Sequence, residues 1–459
     1  MERSIRSRKP LGKLALTSFT FFVSYFMQSL FGFVDLVVVG RFCSVSATSA
    51  VATGSLVMHL ITVVAVGFAV GTADAIRNVY QKGDKDTTER VIGATIAFYG
   101  SVSVIVYVLL SFLTPMIASL LNLPDAALSQ AKVYLHICFI GVPFIALANL
   151  SYSTYRGLGD SRSPMIILFI SCLGNIFLSL LLVGKYEMGV YGAAISTVVS
   201  QALNSLMCIV HIHFFLKKKG LSVNWRLIRF DRKIIRPITE VGYPIAVHDC
   251  MIQLAFLLIN MILNRRGLVD SAAAGIVEKI IATLLLVSSS VNSGVSVLCR
   301  EELERDRTEN ARNYMYLGLF VAGLFAVVVN AFIQIFPEEV LSFFTTDSAV
   351  IRNGAKYLKG YSIVLIFAAV HYVYTGYFNA LGMNGISYVH NIISSVFLRI
   401  PGVYFLSLIY PRNLYPVGLA SASGSVLSAI ICVCIYVYLV KAGKNRIRLR
   451  SVVSDSDRT

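Results

Sequence analysis

LALTSFTFFVSYFMQSLFGFVDLVVVG, residues 14–40, is a long apolar run that carries a single charged side chain, Asp35. A helix needs about 20 mainly apolar residues to cross about 30 Å of hydrocarbon, so this stretch is long enough to span a bilayer. Eleven more runs of the same kind follow, near 48–73, 92–113, 133–155, 164–184, 189–216, 238–263, 272–297, 314–336, 357–381, 388–410 and 418–440. They are continuously apolar and lack the alternation of an outer-membrane barrel. The predicted fold is therefore an all-α polytopic membrane protein with twelve spans. Composition agrees: 56% of the 459 residues are hydrophobic and 14% charged, and the mean hydropathy is +0.73. In water such a chain would expose large apolar patches. Soluble enzymes, disordered tails and nucleic-acid binders are excluded. No basic, apolar, small-residue leader opens the sequence, so the first span is expected to be retained.

The 40 Lys and Arg exceed the 24 Asp and Glu, and their placement carries the meaning. With the N-terminus in the cytosol, 29 of them fall on the inside, 9 outside, and 2 (Lys279 and Arg399) within spans. The reverse orientation inverts that ratio, so the positive-inside rule puts both termini and the connection 217–236 in the cytosol. That connection holds eight basic residues and the single tryptophan, Trp225. It reads as a topology anchor, or as an amphipathic helix on anionic lipid. The eight cysteines show no disulfide or metal spacing, and the seven histidines show no HExxH pattern.

The second half repeats the first. Gly71 is followed six residues on by Arg77, and Gly294 by Arg300. YRGLGDSRSP (155–164) follows the fourth span and FNALGMNGIS (378–387) the tenth. Gly71 to Gly294 and Gly159 to Gly382 are each 223 residues. GVYGAA (189–194) and PVGLAS (416–421) open the sixth and twelfth spans, with Gly192 and Gly418 226 apart. Two pseudo-symmetric six-helix bundles follow: an N-terminal lobe over 1–216, the basic linker 217–236, a C-terminal lobe over 237–440 and a basic tail, 441–459. A cavity between the lobes is the natural ligand site of such a molecule. In RGLGDSR, glycine supplies a positive φ for a tight turn, and Asp160 can cap the next helix with Pro164 in its first turn.

Charges in hydrocarbon are costly and mark function. Asp35 lies about 9 Å before Arg41 along the first span, with Gly32 and Phe31 one turn back and Gln28 two turns back. A desolvated carboxyl there can hold a proton near neutral pH, or bind Na⁺ or a cationic ligand. The plain structural alternative is an Asp satisfied by Ser, Thr or a histidine such as His59 or His136. In the C-terminal half, Asp249, Glu278, Lys279 and Arg399 are two acids and two bases expected to neutralise one another. The acid is not duplicated, since the residue 223 after Asp35 is Leu258; Asn260 is the nearest polar group. Pro143, Pro244 and Pro401 each interrupt a span and can bend it.

FVDLVVVGRF (33–42), RGLGDSRSPM (156–165), GVYGAAISTVVSQ (189–201) and VGYPIAVHD (241–249) resemble the multidrug and toxic compound extrusion (MATE) family, prokaryotic branch, over nearly the whole chain. The resemblance implies a secondary active transporter of the cell membrane, not an enzyme. It would export organic cations or amphipathic drugs by antiport with H⁺ or Na⁺, through alternating access of two lobes. It implies that Asp35 binds the coupling ion, with Asn175 and Thr197 in the same polar cluster. Ser179 stands where an acid often follows that Asn. The acids of another branch in the seventh and tenth spans are absent, with Ile252–Gln253 and Ala368 near those positions. No cofactor beyond the coupling ion is expected, no metal beyond Na⁺ at Asp35, and a single chain in the lipid bilayer. A lipid-linked oligosaccharide flippase of the same superfamily is the alternative. It would need several cations at membrane depth, where only Lys279 and Arg399 are available. No Walker-type GxxxxGK[ST] supports ATP coupling. A membrane-embedded enzyme would need paired acids or a His cluster at one depth in the N-terminal lobe, and the sequence offers none.

Overall fold

A computed structural model of the chain describes residues 10–160 and 162–441; the basic residues of the N-terminus before Pro10 and of the tail beyond Lys441 lie outside them. The described residues are helical, without strands. In chain order the helices are α1 (Pro10–Phe42), α2 (Val45–Gln81), α3 (Lys85–Leu120), α4 (Asp125–Phe139), α5 (Val142–Gly157), α6 (Arg162–Ser179) and α7 (Gly189–Lys218). The second half follows with α8 (Arg232–Asn264), α9 (Leu268–Leu303), α10 (Thr308–Ile335), the short α11 (Pro337–Ser342), α12 (Ser348–Tyr361), α13 (Val364–Ala380), α14 (Asn384–Ser394), α15 (Ile400–Ile409) and α16 (Tyr415–Lys441). Ten helical segments are long and apolar enough to cross a membrane. The pairs α4–α5 and α12–α13, bent by 45° and 41° at short breaks, bring the number to the expected twelve. Large apolar side chains such as Phe112, Phe177 and Phe397 stand exposed along these helices, as lipid-facing residues do.

The bent fourth span is explained by Gly141 and by Pro143 in the first turn of α5, where proline cannot continue the preceding hydrogen-bond ladder. Its counterpart breaks at Ser362 without a proline. There the Gln334 amide donates to the freed Lys359 carbonyl at 2.8 Å and the Ser362 hydroxyl to Asn330 Oδ1 at 2.8 Å. Pro244 lies inside the continuous α8, so the expected interruption there does not occur. Pro401 opens α15 just after a π-helical turn, Ser395–Arg399. The fifth span also carries one, Leu180–Lys185, after α6.

The two turns singled out in the repeat are built alike: Gly159 has φ +85° and Gly382 φ +76°. Asp160 caps α6, its carboxylate accepting the N–H of Arg162 at 2.9 Å, the N–H of Ser163 at 3.2 Å and the Ser163 hydroxyl at 2.6 Å. Partial burial pushes the Asp160 carboxyl up, but these bonds outweigh it and leave it below the usual carboxylate range. Asp160→Ala is expected to cost about 1 kcal/mol, read as a lower unfolding temperature in detergent. Because the folded value is depressed, the stabilisation is complete above the ordinary value of about 3.9 and is lost as pH falls through the lower folded value.

The connection between halves forms no amphipathic helix. It holds one three-residue turn, Trp225–Leu227, with Trp225 86% exposed. Leu221 and Ile235 pack with Val91 and Ile92 of α3, and a Cβ on Gly93 would sit 2.4 Å from the Leu227 carbonyl oxygen. The strand of chain is held by that backbone contact and by Glu89, which accepts the Ser222 N–H at 2.6 Å.

By packing, the chain divides into two compact units, one of residues 30–275 with 344–347, the other of residues 1–29, 276–343 and 348–459. The divisions fall after Ser29 and after Gly275, not in the basic connection where the repeat puts the lobe boundary. The glycines of the repeat explain this. A Cβ on Gly71 of α2 would lie 2.4 Å from the Ile238 carbonyl oxygen of α8; one on Gly294 of α9 would lie 2.4 Å from the Ser18 hydroxyl of α1. Each glycine thus lets the second helix of one repeat cross closely over the first helix of the other. Gly67, one turn before Gly71, meets Ala246 in the same way, and Gly242 meets Phe68. This is a small-residue crossing of the kind that packs membrane helices.

Candidate functional site

Asp35 lies seven residues before the C-terminal end of α1, in the unit built from residues 30–275, and is 1% exposed. α6 and α7 bring three donors to it. The Asn175 amide reaches Oδ1 at 3.4 Å, the Ser179 hydroxyl donates to Oδ1 at 3.1 Å, and the Thr197 hydroxyl donates to Oδ2. Asn175 and Ser179 are one turn apart on α6, hence on one face. All three partners are buried. A carboxylate out of water is tolerated only when its oxygens are bonded, and here both are.

The partners have alternative acceptors. Thr197 Oγ1 lies 3.0 Å from the Ala193 carbonyl, and Ser179 Oγ lies 2.8 Å from Ser196 Oγ, whose own proton goes to the Ala193 carbonyl at 2.9 Å. Each hydroxyl has one proton and two lone pairs. With Asp35 ionised, Thr197 and Ser179 donate to it. With Asp35 protonated, its O–H can donate to Thr197, while Thr197 turns its proton to Ala193 and Ser179 turns to Ser196. One arrangement of heavy atoms therefore satisfies both charge states.

The structure thus brings together Asp35, Asn175, Ser179 and Thr197. Gln28 is exposed on α1 and belongs to the other unit. The four C-terminal charges are divided between the two units. Asp249, with Gln253 and Asn260 on α8, falls in the unit of Asp35, whereas Glu278, Lys279 and Arg399 fall in the other. Asp249 Oδ1 is 2.9 Å from Nδ1 of its neighbour His248. Arg399 is buried, donates to the Tyr361 hydroxyl and lies with its guanidinium 5.5 Å from the centre of that ring. Glu278 is buried within electrostatic reach of Tyr357 and Tyr361. Asn260 accepts the Thr53 hydroxyl at 2.9 Å, which ties α8 to α2. Gln253 is half-buried on α8.

Sequence reasoning missed Ser196, Tyr134, Cys138 and Cys172. The last three lie within electrostatic reach of Asp35. Ser196 had a signal: Gly192, Ser196, Ser200 and Asn204 recur every fourth residue, the period of one helix face. Tyr134 and the cysteines had none, because buried aromatic and thiol side chains fill any membrane core. Among the described residues no group of three His, Cys, Asp or Glu could hold a metal ion.

Comparison with known proteins agrees with this architecture. A family model described as MatE matches residues 21–181 and again 244–405, two segments whose starts are 223 residues apart, as the glycines are. The probable multidrug resistance protein YoeA of Bacillus subtilis is 24% identical over 335 residues, 71% of each chain. The probable multidrug resistance protein NorM of Thermotoga maritima is 25% identical over 92% of this chain and 90% of its own. A solved multidrug resistance MATE family transporter of the MOP superfamily, in an inward-facing conformation, shares the fold with a TM-score of 0.83. It is 20% identical and is matched over 92% of this chain and 96% of that one. With the family model matching well over half of the chain, in both repeats, the chain belongs to the MATE family of multi-pass membrane transporters.

Proposed function

We propose that the chain is an antiporter that exports organic cations and other amphipathic compounds while H⁺ or Na⁺ moves inward. The names of its relatives, which speak of multidrug resistance, support that class of cargo. In this reading the two repeats rock to expose the site to one face and then the other. Asp35 takes the ion from outside and gives it up inside as cargo binds. Two ligands drawing on one carboxylate suffice for coupling, with no nucleotide, metal cofactor or chemical step. The chain works as a monomer in the plasma membrane, with both termini and the basic connection in the cytosol.

One observation carries the proposal: a buried carboxylate whose hydroxyl partners can bond it in either charge state. Such a site loads and unloads a cation without rebuilding its surroundings. The flippase alternative is weaker, because the guanidinium it would need for a pyrophosphate is already engaged by Tyr361. In proteoliposomes, a pH or Na⁺ gradient should drive movement of a fluorescent organic cation, and collapsing that gradient with an ionophore should stop it. Transport indifferent to both gradients removes the proposal.

A further inference from the structure

A second line of polar side chains leads from Asp35 toward the other end of its bundle, along the seam between α5, α6 and α7. On α7 it continues from Ser196 through Ser200, Asn204 and Cys208 to His211. At 1.5 Å per residue, His211 lies about 21 Å from Thr197 along the axis. In a lipid-embedded bundle each such group has a desolvation cost that packing alone does not require. Two sets of these groups are bonded across helices. Ser171 of α6 and Tyr152 of α5 both donate to Asn204 Oδ1, at 3.1 and 2.9 Å. One turn further, the Tyr155 hydroxyl bonds His211 Nδ1 at 2.7 Å. His211 is exposed and lies within electrostatic reach of Asp160 in the RGLGDSR turn.

Between Asp35 and Asn204 along the helices lie two fully buried side chains, Asn175 and Ser200. Asn175 lies one turn outward of Ser171, and Ser200 one turn outward of Asn204. Asn175 Oδ1 and Ser200 Oγ have no hydrogen-bond partner. A serine in a membrane helix ordinarily bonds the carbonyl of the preceding turn, as Ser171 does to Ile167; Ser200 does not. Buried polar atoms left open on one line are positions that bridging water satisfies.

We propose that the coupling ion is a proton, and that it passes between Asp35 and the cytosolic face along this seam, inside one bundle and apart from the route of the cargo. The inference rests on the reading of Asp35 as the coupling site. A protonated Asp35 gives its proton to a neighbouring hydroxyl or bridging water, which releases one of its own to the next. Every station ends unchanged, Asp35 is left as carboxylate, and one proton leaves through His211 to water. Asn204, which accepts from two hydroxyls, is a positioning residue that holds them in line. A sodium ion would have to shed and regain ligands at each turn, past Ser171, Tyr152 and Tyr155 hydroxyls that are already bonded.

The test compares pH-gradient-driven export, proton release reported by pyranine, and cargo counterflow at equal pH, which needs no proton. Asn204→Leu and Tyr155→Phe should each slow driven export and proton release about tenfold or more while counterflow stays at the wild-type rate. Asn204→Ser, which can still accept a hydroxyl bond, should retain most of the driven rate. If Asp35→Asn loses driven export but Asn204→Leu and Tyr155→Phe keep it, the seam is overturned and the Asp35 reading stands. Driven export that survives in Asp35→Asn overturns the reading itself. Export driven by a Na⁺ gradient at equal pH, and not by a pH gradient, overturns the proton. Should Asn204→Leu lose counterflow too, Tyr155→Phe decides, because it removes one hydroxyl and leaves the ring in place.

Discussion

Asp35→Asn should leave a folded transporter whose gradient-driven export falls about a hundredfold. The substitution keeps shape and volume but cannot change charge. Its surroundings can accept it: an amide N–H placed at Oδ2 can donate to Thr197, whose own proton then turns to the Ala193 carbonyl 3.0 Å away. Ser179 likewise has Ser196 at 2.8 Å. The variant therefore mimics one charge state permanently, and the cycle stalls there. Counterflow of cargo under equal ion concentrations reports whether the rest of the protein still moves. Wild-type rates of gradient-driven export in this variant, measured in the same vesicles, would eliminate Asp35 as the coupling site.

Gly67→Val and Gly71→Val should each abolish the folded protein or nearly so. At both positions the obstructing atoms are backbone: Ala246 N and Cα at 2.6 Å, and the Ile238 carbonyl oxygen at 2.4 Å. A flexible side chain could swing away, but a helix backbone can only be pushed off whole. Overpacking costs about 1–3 kcal/mol where side chains can give, and more is expected where they cannot. Size-exclusion chromatography in detergent, with yield from membranes, reads the outcome. Gly100→Val is the control, since a Cβ there meets nothing within 4 Å. A monodisperse Gly71→Val protein at normal yield would show that the α2–α8 crossing is not what holds this unit together.

Much of this was legible in the residues. Hydrocarbon thickness fixes the length of an apolar run, so twelve spans could be read without knowing how any of them pack. Gly159 and Gly382 were readable because a positive φ demands glycine. Asp35 was readable because an acid in oil demands a reason. The break at Ser362 was not, because hydrogen bonds from Gln334 and to Asn330 replace the proline that marks its counterpart. The pairing of α2 with α8 was not, because a repeat of 223 residues shows which helices are equivalent and not which ones touch. Ser196 was overlooked because serine in a membrane helix so often serves only its own backbone. The connection 217–236 has the composition of a surface helix, yet between α7 and α8 it forms only the short turn Trp225–Leu227, where Leu227 lies close against Gly93.

The exchange of first helices between the repeats has a bearing on descent. In a progenitor of half this length, the part of the opening helix that now packs with the other repeat would have needed a twin, each lending that segment to the other. Gene duplication then made the loan internal. Severed at the tether today, either fragment would leave one wall of its bundle behind on its former partner.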